Sequence, residues 1–207
     1  SVLPVWLLLA PRDYLSTFLK IGTIALLALA IFFAAPYMQM PAVTKFIDGS
    51  GPVFQGNLFP FLFITIACGA VSGWHSMISS GTTPKLLSNE REARMVGYGG
   101  MLTEAFVAIM AMIAACALQP GVYFSMNAPA ALIGADVQSA AAAISQWGFV
   151  VTPDQLAQTA KDIGETTILS RAGGAPTLAV GMAQLLHSMI PSANLMAFWY
   201  HYAILFE

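Results

Sequence analysis

Three stretches of this chain are apolar for long enough to cross a bilayer, and no other feature restricts its fold as strongly. They are residues 17–35 (TFLKIGTIALLALAIFFAA), 58–79 and 96–118. About 20 predominantly apolar residues in a helix span the hydrocarbon core, where every backbone N–H and C=O must find a partner within the protein. The first run stops at Pro36 and the third ahead of Pro120. Two partial spans flank them, residues 1–10 (SVLPVWLLLA) and 194–207 (NLMAFWYHYAILFE). The expected fold class is all-α, a polytopic transmembrane helix bundle. The opening run lacks the basic front of a signal peptide, and the closing one is barely half a crossing. Residues 1–207 are therefore expected to be an internal fragment of one longer transmembrane domain.

Composition agrees. Of 207 residues, 57% are hydrophobic and 9% charged, against roughly 25% charged in an average soluble domain. Eight Lys and Arg with a net charge of −2 leave no basic patch for nucleic acid and no acidic disordered tail. Cys68 and Cys116 sit inside apolar runs without zinc or disulfide spacing and read as small buried hydrophobes. No metal site is expected, because neither His187 nor His201 has a second ligand at metal spacing. The placing of Lys and Arg sets orientation. Arg12 and Lys20 flank an expected first turn, and Lys85, Arg91 and Arg94 crowd the turn at 80–95, which is assigned to the cytoplasm. Residues 36–57 carry only Lys45, and 119–193 only Lys161 and Arg171, so both are assigned outside.

The outer stretch has helical grammar of its own. Thr152, Pro153 and Gln155 read as an N-cap, a proline at the first helical position and a capping-box partner, predicting a helix over 153–163 closed by Gly164. QSAAAAISQW predicts another. APTLAVGMAQLLHSMI, bounded by Pro176 and Pro191, predicts a third, short enough for a half-crossing or re-entrant helix.

Within the second run, CGAVSGWHSMISSGTTPK is unusually polar. At 100° per residue, Thr65, Gly69, Ser72, Ser76, Ser79 and Thr83 fall within about 80° of arc. Val71, Trp74, Met77 and Ile78 lie opposite, and His75 at the margin. Two readings stand. The stripe is a packing seam of small and hydroxylated residues, or it lines a water-accessible cavity in which Ser80, Thr82 and Thr83 end on irregular backbone that binds a solute or ion. The candidate pathway residues are Ser72, His75, Ser76, Ser79, Ser80, Thr82 and Thr83. Pro84 and Lys85 also suit a simple helix exit.

The third run adds a charge. Gly97, Gly100, Glu104, Ala108, Ala111 and Ala115 share a face opposite Leu102, Phe106, Ile109 and Ile113. An acid at mid-helix costs at least about 2.5 kcal/mol, and such acids mark ion paths and proton relays; the alternatives are a protonated packing acid or one that snorkels to the cytoplasmic end. Glu104 is the first candidate for proton coupling and Glu207 the second. His201 in FWYHYA reads as an interfacial aromatic-belt residue, while His187 points either into the protein or into an outer vestibule.

The segments LPVWLLLAPRDYL, CGAVSGWHSMISSGTTPK, GGAPTLAVGMAQLLHSMI and FWYHYAILFE together resemble the carbon starvation protein A (CstA) family of bacterial inner-membrane transporters. The resemblance implies uptake of small peptides, or of pyruvate in a sister branch, during carbon starvation. That family is similar to carriers with a LeuT-like plan of inverted repeats and broken helices, with solute at the midplane. The function expected is secondary active transport by alternating access, coupled to H⁺ or Na⁺ and using no other cofactor, with the lipid bilayer and a small peptide or pyruvate as partners. No GxxxxGK[ST] loop is present to support ATP-driven transport. The rival is a structural or assembly subunit with polar packing seams. An intramembrane enzyme is weaker, since no nucleophile–base or paired-acid constellation can be placed.

Overall fold

A computed structural model describes residues 5–190 and 195–206, and these form helices and loops with no strand among them. In chain order the helices are α1 (Val5–Ala34), α2 (Leu58–Ala70), α3 (Gly73–Met77), α4 (Thr83–Leu86), α5 (Glu92–Ala117), α6 (Pro120–Asn127), α7 (Ala130–Ile133), α8 (Val137–Gln146), α9 (Pro153–Asp162), α10 (Gly174–Met189) and α11 (Leu195–Phe206). Two helical segments, Tyr14–Ala34 and Glu92–Ala117, are long and apolar enough to span a bilayer. Only 17% and 11% of their apolar windows are buried within the chain, whereas a helix hydrophobic all round in a soluble protein is a core helix. The chain divides into two compact units, one from Ser1–Met40 and Met110–Glu207, the other from Pro41–Ile109.

In the first unit, α1 corrects the expected topology. Among the described residues no turn separates the partial span at 1–10 from the crossing expected at 17–35; one helix runs from Val5 to Ala34 with Pro11 inside it. Pro11 falls in the second turn, where its missing N–H forfeits a bond to the Leu7 carbonyl close to the helix start and leaves the long apolar run beyond it undisturbed. Thr23, Leu27 and Ala30, spaced i, i+4 and i+7, form the buried stripe of α1, and its packing partners are α10 and α11. The Thr23 and Tyr202 hydroxyls share a hydrogen bond of 2.8 Å, tying α1 to α11.

Residues 119–193, expected as an outer loop with short helices, supply most of the buried apolar residues of this unit. The capping box at Thr152 forms as the sequence predicts: the Thr152 hydroxyl accepts from the Gln155 N–H at 3.2 Å, and the Gln155 side chain accepts from the Thr152 N–H at 3.0 Å. The alanine-rich segment folds as α8, capped by the Asp136 side chain, which accepts from the Ser139 N–H. α6 is nearly enclosed, with Val122, Phe124, Ser125 and Met126 buried and Phe124 stacked on Phe149 at 4.7 Å. α10 is enclosed too, burying Val180, Gly181 and Ala183. Its 16 residues extend about 24 Å, short of the hydrocarbon thickness of about 30 Å. At Gly181 it meets the end of α5 so closely that a Cβ there would lie 2.7 Å from the Ala114 carbonyl oxygen.

In the second unit, the expected crossing at 58–79 is not one helix. α2 ends at Ala70, Val71 leaves helical geometry (φ −125°, ψ 37°), and the chain restarts at Gly73. Gly69 and Gly73 flank the break, where the backbone departs from helix at little steric cost. A π turn at Ile78–Thr82 then joins α3 to α4, with the Thr83 N–H donating to the Ile78 carbonyl. Pro84 follows, and it has no N–H to give the Ser80 carbonyl that an uninterrupted α-helix would satisfy. α5 begins at Glu92 rather than Val96; the Asn89 side chain accepts the Arg91 N–H at 3.0 Å just ahead of it.

Candidate functional site

The polar stripe survives the break in a changed form. Thr65 and Gly69 lie on α2, Ser72 in the interruption, and His75, Ser76, Ser79, Ser80 and Thr83 on the α3–π–α4 segment. A single straight wheel over 58–83 is therefore corrected, because a break and a π turn each reset the register. The Ser76 hydroxyl donates to the Ser72 carbonyl at 3.2 Å, and the Ser79 and Ser80 hydroxyls both donate to the Ser76 carbonyl, at 3.0 and 2.8 Å. Each serine thus spends its proton on its own helix, the way hydroxyls survive in apolar surroundings, and keeps its oxygen lone pairs as acceptors. His75, Ser76, Ser79 and Ser80 are exposed, while Ser72 and Thr83 are half-buried.

Glu104 lies midway along α5, about 18 Å from the Glu92 end and about 20 Å from the Ala117 end. Six residues separate it from Tyr98, about 9 Å along the axis, so the structure leaves both the buried-acid and the snorkelling readings of Glu104 standing. It is exposed within this chain. A Cβ placed on Gly97, Gly99 or Gly100 meets nothing within 4 Å, so the small-residue face beside Glu104 is open to close approach by further helices. Among the described residues no hydrogen bond joins Glu104 to the serine stripe. Glu207 lies outside the described residues.

The first unit carries polar groups that sequence reasoning did not single out. Arg171 donates to Glu165 at 2.7 Å and to the hydroxyl of fully buried Tyr200 at 3.0 Å. The Arg171 hydrogen bond, followed by its charge and that of His201, holds the Glu165 carboxyl below the usual carboxylate range. A depressed native pKa gives stability that is complete above the unfolded value near 4.5 and is lost as pH falls through the native value. The pair is partly exposed, which keeps its contribution to about 1 kcal/mol or less. Glu165→Gln should lower the melting temperature slightly at pH 7, with the difference shrinking as pH falls below 4.5, as thermal unfolding of the purified protein across that range will show. At the end of α6, Asn127 donates to the Thr177 hydroxyl at 2.9 Å and the Thr177 hydroxyl donates to the Gly173 carbonyl at 3.0 Å, satisfying two buried polar side chains where α10 begins. His187 Nδ1 and Trp199 Nε1 are buried without a hydrogen-bond partner among the described residues.

Compared with known proteins, the whole of residues 1–207 matches the family described as "Carbon starvation protein CstA". This chain belongs to the carbon starvation protein CstA family. It is 65% identical over 212 residues to the "Peptide transporter CstA" of Escherichia coli (strain K12), covering 100% of this chain and 30% of that protein. It is 62% identical over 208 residues to the protein of the same name from Campylobacter jejuni, again covering 100% and 30%. The "Pyruvate/proton symporter BtsT" of Escherichia coli (strain K12) is 57% identical over 229 residues, covering 100% of this chain and 32% of the relative. The chain thus spans about a third of the length of the curated relatives it matches. No solved structure matches it.

For this CstA-family chain the sequence located the polarity of the second run but not the Arg171–Glu165–Tyr200 and Asn127–Thr177 contacts. Arg171–Tyr200 and Asn127–Thr177 join residues 29 and 50 apart in sequence, and Arg171–Glu165, six apart, lies outside a helix, so no helical spacing rule reports these pairings. One local signal was available. Asn127 precedes Ala128 and Pro129, and a polar residue at a helix end ahead of proline marks a boundary whose free groups need partners.

Proposed function

We propose that this chain forms part of a secondary active carrier that takes up small peptides or pyruvate across the bacterial inner membrane by alternating access, coupled to an ion gradient. The observation that carries the reading is a coincidence of position. The helix break at Val71 and the π turn at Ile78–Thr82 fall on the same residues as the hydroxyl stripe. Irregular backbone at membrane depth is tolerated only where protein or a cavity covers it, and interrupted helices are where carriers of this kind bind solute; π turns favour functional sites as well. Ser72, His75, Ser76, Ser79, Ser80, Thr82 and Thr83 are assigned to the solute and ion path. Glu104, and Glu207 beyond the described residues, are assigned to coupling. A relative named as a pyruvate/proton symporter favours H⁺ over Na⁺ as the coupling ion.

The arrangement further proposed is a LeuT-like inverted repeat in which α2 and the α3–π–α4 segment are the two halves of a broken span and α10 a half-crossing. The 80–95 turn then faces the cytoplasm and 119–193 the outside. The structural-subunit reading gains nothing from the family names and would leave the interruption of α2 unexplained.

The test is uptake of radiolabelled dipeptides and of pyruvate by vesicles containing the full-length protein, with and without a proton gradient. Cysteines at Ser72, Ser76 and Ser79, in a protein lacking Cys68 and Cys116, should react with small water-soluble thiol reagents and be protected by saturating substrate. A cysteine at Leu62 on α2 should react poorly. Uniform inertness of the serine positions, with no gradient-dependent uptake, would return the stripe to helix packing.

A further inference from the structure

Arg91, Arg94, Met95, Tyr98 and Leu102 line a shallow concavity of about 530 Å³ along one side of the start of α5, a volume within the range of small-ligand sites. Arg94, Tyr98 and Leu102, with Met95 beside them, share one side of α5 at spacings of three to four residues, and Arg91 sits in the turn just ahead of the helix. The face is unsatisfied in two ways. Met95, Tyr98 and Leu102 are 81%, 61% and 64% exposed. Arg91 and Arg94 are exposed and form no ion pair among the described residues. Of the neighbouring acids, the Glu92 carboxylate accepts the Ser88 hydroxyl at 3.1 Å, and Glu90 is exposed. From Lys85 to Arg94 three basic residues outnumber two acidic ones.

The order of chemistry along this face matches a depth profile. α5 has 26 residues and so extends about 39 Å, longer than the hydrocarbon core of about 30 Å and close to the full bilayer with its headgroups. Its first turn therefore lies in the headgroup layer when the helix spans. Leu102 is about 16 Å further along the axis than Arg91, well inside the acyl region. Tyr98 falls between them at the level where amphipathic aromatics concentrate. Two guanidinium groups, then an interfacial aromatic flanked by a flexible thioether, then an aliphatic residue follow the same sequence as phosphate, glycerol and acyl chain.

We propose that this face binds one anionic phospholipid, its phosphate held by Arg91 and Arg94 and an acyl chain laid along Met95, Tyr98 and Leu102. Guanidinium forks bind phosphate oxygens in pairs. A soluble anion would use only the basic end, and a soluble protein partner would have no need of a gradient from charge to aliphatic carbon.

The experiment is native mass spectrometry of the full-length protein in mild detergent, titrated separately with phosphatidylglycerol and phosphatidylcholine. Wild type should retain phosphatidylglycerol in preference. Arg91→Gln and Arg94→Gln should each weaken that retention about fivefold, and the pair about thirtyfold, the effect of removing one and two basic contacts to an anionic lipid. Leu102→Gln should weaken it as well. The single arginine variants, both at exposed positions, keep the test informative should the double variant fold poorly. Equal retention of the two lipids, or wild-type retention by both single arginine variants, overturns the proposal. So does full displacement of the lipid by millimolar inorganic phosphate with no effect of Leu102→Gln, which would identify a free-anion site instead.

Discussion

Gly181→Val is expected to remove most folded protein from the membrane fraction, whereas Gly22→Ala should be tolerated or mildly stabilising. Both glycines lie inside helices, where alanine is intrinsically favoured by about 1 kcal/mol. Their surroundings reverse the outcome. A Cβ at Gly22 meets nothing within 4 Å, but one at Gly181 would lie 2.7 Å from the Ala114 carbonyl oxygen and 3.0 Å from its carbon. Those are backbone atoms of a fully buried residue, so no side-chain rotation relieves the overlap and α10 must move away from α5. Overpacking of a tight core costs about 1–3 kcal/mol and occasionally more. Valine, with two further methyl groups, belongs at the upper end, a large fraction of a typical stability of about 5–15 kcal/mol. Ala114→Gly should rescue little, because the nearest clashing atoms are not its side chain. Size-exclusion profiles and thermal unfolding of both glycine variants give the comparison. A Gly181→Val protein that is monodisperse with unchanged melting would mean that α10 does not pack against Ala114 in the full-length protein.

How far the sequence announced this fold differs from element to element. Helices whose signal is local were legible. The Thr152–Pro153–Gln155 capping box and the alanine run of α8 need no distant partner, and both form where expected. The helix expected at 96–118 was also legible, since its length and apolarity are its own evidence; its bounds shifted to Glu92–Ala117. Two elements were misjudged for opposite reasons. Arg12 after Pro11 resembled a turn, but a proline in the second turn of a long helix disturbs only that helix's start. Val71 sits in an apolar run that resembled an unbroken helix, but glycines on either side made departure cheap. α6 was overlooked because its eight residues carry no strong periodicity, and its helicity is supported by the packing of Phe124 on Phe149 and of its buried face within the unit. For the candidate site, the wheel found the serines but not their arrangement. The register in which they sit is reset by the π turn at Ile78–Thr82, which has no compact sequence signature.

Glu104→Gln is expected to spare substrate exchange across the membrane while abolishing accumulation against a gradient. Its place at the middle of a 26-residue apolar helix is costly for an acid, by about 2.5 kcal/mol or more. Under the proposed alternating access, the open face of Gly97, Gly100 and Ala108 would let other helices close around the carboxyl in one state and withdraw in the other. A carboxyl so placed can load a proton from one side and release it to the other. One proton moving down about 100 mV delivers about 2.3 kcal/mol, enough for roughly fiftyfold accumulation of a neutral solute. Glutamine keeps the shape and hydrogen-bonding pattern of the protonated acid but cannot titrate, so it should hold the carrier in its loaded form. Labelled substrate inside vesicles should then exchange with unlabelled substrate outside at near wild-type rate, while an imposed proton gradient produces no accumulation beyond equilibrium. Glu104→Ala tests packing instead, and a loss of both activities there with exchange retained in the glutamine variant separates the two roles. Gradient-driven accumulation by Glu104→Gln with the wild-type pH dependence would exclude Glu104 as the coupling acid and transfer the assignment to Glu207.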